Sequence, residues 1–261
     1  MSTLPPPNLN QPMSPTPAAP GLSEGQRIIN TFIAPSKTFT DIQTNASWWV
    51  PWVLGAVIGL AFGIVAVQKL DMKRFIQQQI DQSPSAQKRL EQLSPAQREQ
   101  GLSIQATVTK VIFYITPIFG LILGLLCALV LWVIFSFGFG GDIGFGRSLA
   151  VVFYAFLPRS IYAILLTVSF LASSDANTID IANNPMPLNP AFFMDPTGNK
   201  FLYTLASGFD IISIWIVVLL GLGFAKASVN KKPSTSAALT TMFVVYALLI
   251  LATAAIKAAF A

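Results

Sequence analysis

The stretch from Val111 to Phe139 constrains this chain more than any other part of it. It reads VIFYITPIFGLILGLLCALVLWVIFSFGF and holds no Asp, Glu, Lys or Arg. A helix needs about 20 apolar residues to cross a hydrocarbon core about 30 Å thick. Helices buried in soluble domains rarely stay apolar on every face for that length. The segment is therefore expected to span a bilayer, and four others share its character. The predicted spans are 48–67, 111–137, 148–172, 209–225 and 237–256, so the fold class is all-α: a polytopic membrane protein with a bundle of about five transmembrane helices. Only 10% of the residues are charged and 53% are hydrophobic, against about 25% charged in soluble domains.

The same composition removes whole classes of chemistry. The chain has no His, which excludes His-based acid–base catalysis and His-ligated metal sites. The single Cys127 lies inside the long apolar run. It cannot form an internal disulfide or a thiolate cluster, and reads as a small packing residue. A net charge of +5 is scattered along the chain without a Lys/Arg block, so nucleic acid is not an expected partner. No catalytic, metal or cofactor-binding residue and no small-molecule ligand is identifiable. The expected partners are the lipid bilayer and either another membrane protein or a second copy of the chain.

Residues 1–21 include seven prolines by Pro20 and show no charged and apolar leader pattern. They read as a disordered, solvated tail and not as a cleavable signal peptide. Residues 22–46 form an amphipathic segment expected at the membrane interface or on the side of the bundle. Ser23 and Gln26 make a capping box there, Ile28, Ile29, Phe32 and Ile33 share a face, and Pro35 ends the helix. The transmembrane domain then occupies 47–261. Its first polar excursion, 69–110, carries seven basic and four acidic residues and reads as two or three short amphipathic helices. Ser83-Pro84 and the box from Ser94 to Gln97 mark their starts. A second polar loop covers 173–207.

Small residues punctuate the spans. Gly55, Gly59 and Gly63 stand four apart, as do Gly120 and Gly124. This spacing lets another helix approach closely, either within the monomer or across a dimer. Three tryptophans, Trp48, Trp49 and Trp52, sit where the first span begins, as indole rings do at headgroup level. The connector FGFGGDIGFGRS is rich in glycine but matches neither phosphate-binding spacing.

Two charges fall within the spans. Arg159 follows Pro158 in the third, and Asp210 opens the fourth. A charge at that depth must face protein, water or the headgroups. Pro158 frees a backbone carbonyl that Arg159 can satisfy, and Asp210 is the obvious opposite charge. The structural reading is a packing ion pair or a snorkelling Arg. The functional alternative is a small transporter or transporter subunit with a polar path along Arg159 and Asp210. Charge asymmetry orients the chain: Lys226, Lys231 and Lys232 lie in one loop, against Asp175, Asp180 and Asp195 in 173–207. The N-terminus is therefore expected in the cytoplasm and the C-terminus outside.

Three segments carry a family likeness. FIAPSKTFTDIQTNASWWVPWVLG, GRSLAVVFYAFLPRSIYAIL and FDIISIWIVVLLGLGFAKAS resemble the opening, the aromatic-Leu-Pro helix and the helix with Asp, hydrophobic residues and Trp followed by Gly-hydrophobic-Gly of the Yip family. Its members are the Ypt/Rab-GTPase-interacting membrane proteins, and the likeness here is to the prokaryotic branch. It covers about residues 30–258. The resemblance implies five helices, a cytoplasmic N-terminus, no catalysis and a prokaryotic inner-membrane location. Eukaryotic members bind small GTPases in vesicle traffic, a role not carried over to this chain. The expected function is a non-enzymatic component that organises membrane or binds another membrane protein.

Overall fold

The computed structural model describes residues 21–181, 183–230 and 233–259. The expected disordered tail lies outside them, apart from Gly21. All regular structure among the described residues is helical.

The chain opens with two short helices, α1 (Glu24–Ile33) and α2 (Pro35–Asp41). Ser23 Oγ accepts from the Gln26 N–H while Gln26 Oε1 accepts from the Ser23 N–H, so two orphan donors at the helix start are satisfied together. Pro35 cannot donate back into α1 and starts α2 instead. The two helices form a hairpin closed at its base, where the Leu22 N–H donates to Asp41 at 3.0 Å. This hairpin lies along α10 (Ile211–Ala227). At its base the Gln43 side chain donates to the Lys226 carbonyl. Further in, the Phe39 ring covers Gly223. At its tip Phe32 meets Trp215 edge to face, with ring centroids 5.6 Å apart. Eleven residues of α10 separate Lys226 from Trp215, about 16 Å of helix. The expected interfacial segment is thus a hairpin that runs beside the bundle instead of flat across its end.

Helix α3 (Trp49–Lys69) is the first span. Trp48 stacks on Phe153 at 5.5 Å, which pins the start of α3 to the core. The excursion that follows holds two short helices, α4 (Met72–Asp81) and α5 (Pro84–Glu91). Two is the lower of the expected counts. The box at Ser94 starts α6 (Pro95–Val133), which runs unbroken for 39 residues through the second span. No stop signal stronger than Gly101 intervenes, and Pro117 sits in a spanning segment, where membrane helices tolerate proline. Helix α6 is about 58 Å long, nearly twice the hydrocarbon core. It ends in a π-helical turn, Ile134–Gly138.

The third span is also not one straight helix. It breaks between α7 (Phe145–Ala155) and α8 (Pro158–Ala172). Pro158 has no N–H to give the Tyr154 carbonyl, and a turn at Phe156 and Leu157 takes the place of the regular ladder while Leu157 keeps helical backbone. Every residue of α7 from Ser148 to Ala155 is buried, so α7 is the central strut of the larger core cluster. The fourth span is bent by 55° between α9 (Lys200–Ser207) and α10. The loop expected to end at residue 207 therefore contains a helix. Gly208 occupies the bend: a Cβ there would meet Ile250 at 2.7 Å, and its carbonyl accepts from Tyr246. Both partners belong to α11 (Thr235–Ala259). Among the described residues, four helical segments are long and apolar enough to cross a bilayer, α7 and α8 counting together as Phe145–Ala172, and the bent α9–α10 pair makes up to five.

The connections gather at two ends. At one, the hairpin base meets the 228–230 loop, and Asp142 accepts from the Val229 and Asn230 N–H groups at 3.0 Å. At the other, the excursion and the second polar loop join. The Asp71 N–H donates to Asn177, Arg74 pairs with Asp175 at 2.9 Å, and Asn183 donates to Gln82.

Candidate functional site

Two features stand out, a groove among α3, α6 and α8 and a buried charge cluster under α7. The groove encloses about 300 Å³ between Pro51–Phe62 of α3, Thr116–Gly120 of α6 and the residues flanking the α7–α8 break. Small residues create it: Gly55, Ala56, Gly59, Gly120 and Ala163 all line it. Its polar groups are Arg159, Ser160, Tyr162, Thr116 and Trp52.

Among the expected packing glycines, the structure separates two roles. At Gly63 a Cβ would lie 2.5 Å from the Phe113 carbonyl oxygen, and at Gly124 one would lie 2.6 Å from the Phe153 ring. These are the close approaches. Phe113 is four residues before Pro117, so its carbonyl receives no helical hydrogen bond from that proline. The backbone at Gly63 covers it. By contrast, nothing lies within 4 Å of a Cβ on Gly59 or Gly120, and at Gly55 only Ser160 Oγ does, at 3.8 Å. The centre of the α3–α6 seam is therefore Gly63 and not Gly59, and the other three shape the groove.

Arg159 sits in the first turn of α8, immediately after the break, and not in the middle of a helix. Its N–H donates to the Phe156 carbonyl and its side chain is exposed. The carbonyl that Pro158 leaves without its usual partner, that of Tyr154, accepts from the Leu157 N–H at 3.2 Å. Arg159 is not needed for that task. Asp210 caps α10 by accepting from the Ser213 N–H at 2.9 Å. Ion pairs among the described residues join Arg27 to Glu24 and Asp41, Lys73 to Glu99, and Arg74 to Asp175. Arg159 and Asp210 are not among these pairs.

The second feature escaped sequence reasoning. Arg27 is 0% exposed. Its Nε donates to Asp41 Oδ2 at 2.6 Å, and its Nη2 lies 2.5 Å from the same oxygen without hydrogen-bond alignment. Glu24 is 3.5 Å from Nη1 and accepts from the buried Tyr154 hydroxyl at 2.5 Å. The Arg27 carbonyl accepts from the Thr31 and Thr38 hydroxyls. The polar face of α1 thus points inward, while Ile29 and Ile33 are 59% and 75% exposed. An available signal was the four-residue step from Arg27 to Thr31, which puts both on one face. Its weight was hidden by Ile28, Ile29, Phe32 and Ile33, which dominate the helical pattern.

These features define a class: a polytopic helical membrane protein whose apolar spans contact lipid. Among the described residues no group of acidic or Cys side chains is placed to hold a metal ion. The model of the Yip1 domain matches residues 29–256, and the chain belongs to the Yip1 domain family. No curated protein and no solved structure matches it.

Proposed function

We propose that this chain is a non-enzymatic, membrane-organising component that acts by enlarging one leaflet. The observation that carries this reading is the α1–α2 hairpin. It lies beside α10 from one end only, with Phe32 and Phe39 against α10, with Arg27, Thr31 and Thr38 turned inward, and with Ile29 and Ile33 outward. The outward Ile29 and Ile33 suit contact with acyl chains, and the exposed Lys37 of α2 has a long side chain that can carry its charge to the headgroups. Two helices that enter without crossing add cross-section to the leaflet they occupy. The surface that Ile29 and Ile33 present is also the natural docking face for another membrane protein.

The leaflet is the cytoplasmic one. The hairpin base shares an end of the bundle with the loop after α10, whose sequence carries Lys226, Lys231 and Lys232, and basic loops stay cytoplasmic. Purified protein reconstituted into large vesicles of one phospholipid tests the reading by electron microscopy. Increasing protein density is expected to narrow or tubulate the vesicles, and Ile33→Asp is expected to reduce this effect several-fold. Vesicles whose size distribution is independent of protein density would remove the proposal.

A further inference from the structure

We infer that the α3–α6–α8 groove is a binding site for one glycerophospholipid whose headgroup is net negative, its phosphate held by Arg159 without a competing cation on the same headgroup. The phosphate lies at the α7–α8 break and an acyl chain follows the groove toward Phe62 and Leu166.

The walls and the rim have different chemistry. Gly55, Gly59 and Gly120 leave a trough in which no protein atom fills the space near a Cβ at Gly59 or Gly120. Phe62 and Leu166 close its far end. A trough of this size and polarity accepts a chain and gives it no polar partner. From Trp52 to Phe62 the groove follows α3 for about 15 Å.

The rim supplies donors. Arg159 carries a full charge, is exposed beside the groove, and pairs with no carboxylate among the described residues. Trp52 has a buried indole N–H without a hydrogen-bond partner. None of the residues lining the groove is acidic. Asp210, the acidic residue that opens the next span, is engaged in capping α10. A guanidinium is suited to two oxygens of a phosphate, and an anion at this position gives Arg159 the partner that no carboxylate supplies.

Depth supports the same occupant. Ser160, next to Arg159, faces Gly55 at 3.8 Å, and Gly55 is six residues, about 9 Å, along α3 from Trp49. Tryptophans at a span's start mark the headgroup zone, and an Arg side chain extends from that depth back toward it. Arg159 therefore reaches lipid phosphate while the groove below it lies among acyl chains. A free phosphate ion would use the rim and leave the trough unused.

The experiment uses the full chain in nanodiscs of phosphatidylcholine. Each preparation is doped with a photoactivatable acyl-chain probe on either phosphatidylglycerol or phosphatidylcholine, and labelled residues are mapped by mass spectrometry. Labelling of the groove is expected to be about 5-fold stronger from the anionic probe. Arg159→Gln should bring the two probes to parity, and Arg159→Lys should keep most of the preference. Gly59→Leu, which has room at its Cβ, should fill the trough and reduce labelling by both probes. Millimolar inorganic phosphate should not compete. An anionic preference that survives Arg159→Gln, or groove labelling that survives Gly59→Leu, overturns the site. Competition by inorganic phosphate reassigns it to a soluble anion and overturns the lipid. The readout does not depend on vesicle shape, so it stands or falls apart from the leaflet proposal.

Discussion

At the scale of single residues, two contacts carry most of the specificity. Arg27 is buried with Asp41, and a buried pair is costly to break because one charge is left without a partner. Arg27→Met is expected to destabilise the protein by about 3–5 kcal/mol, with part of the loss recovered in the double variant Arg27→Met/Asp41→Leu. Thermal unfolding in detergent measures both. The second contact is Gly63 against the Phe113 carbonyl. Gly63→Ala drives a methyl group into backbone that cannot move aside, a change worth about 1–3 kcal/mol. Gly59→Ala meets nothing and should leave stability unchanged or slightly raised. Equal losses at the two positions would show that the seam lies elsewhere.

At the scale of elements, composition and capping made most of the helices legible. Val111–Phe139 announced its span through length and lack of charge, and the boxes at Ser23 and Ser94 marked helix starts that the structure keeps. Continuity was harder to read. The polar residues between Pro95 and Lys110 looked like the end of an excursion, because local composition does not say whether a helix continues into the bilayer. Pro158 lay in plain view as a helix breaker, yet the apolar run around it masked the break. The exchange of roles between Gly59 and Gly63 was not legible at all, since four-residue spacing names a face and not the point where a partner crosses it. Arg159 and Asp210 were visible as charges, but their separation depends on where α8 and α10 begin.

Loop ties belong to the same scale. Hydrogen bonds from the Asn230 and Val229 backbone hold the Asp142 carboxyl below the usual carboxylate range. The charged form is favoured in the folded state, so this latch is intact above that range and is lost as pH falls through the lowered value. Amide exchange at Val229 and Asn230, compared with unprotected amides, should stay slow through the usual carboxylate range and lose its protection only at lower pH. In Asp142→Ala the protection should be absent at every pH.

For the whole molecule, the two sets of loop contacts imply one topology. The excursion and the 173–199 region share an end, and the hairpin base shares the opposite end with the loop after α10. Reporter fusions at residues 90 and 190 and at the C-terminus should all report the extracytoplasmic side, and fusions at residues 142 and 230 the cytoplasm. A cytoplasmic signal at residue 190 would contradict the five-span arrangement and the leaflet assigned to the hairpin.

Helix α6 has a mechanical consequence. Because one rod of 39 residues joins the α4–α5 headpiece to the connector at the opposite surface, force applied outside the bilayer is transmitted without an intervening hinge loop. A tilt of about 5° moves the tip of a rod about 58 Å long by about 5 Å. Compliance is concentrated where the hydrogen-bond ladder is weakest, at Pro117 and in the Ile134–Gly138 turn. Pro117 and Gly120 also wall the groove, so a bend of α6 at Pro117 would change the width of the space between α3 and α6.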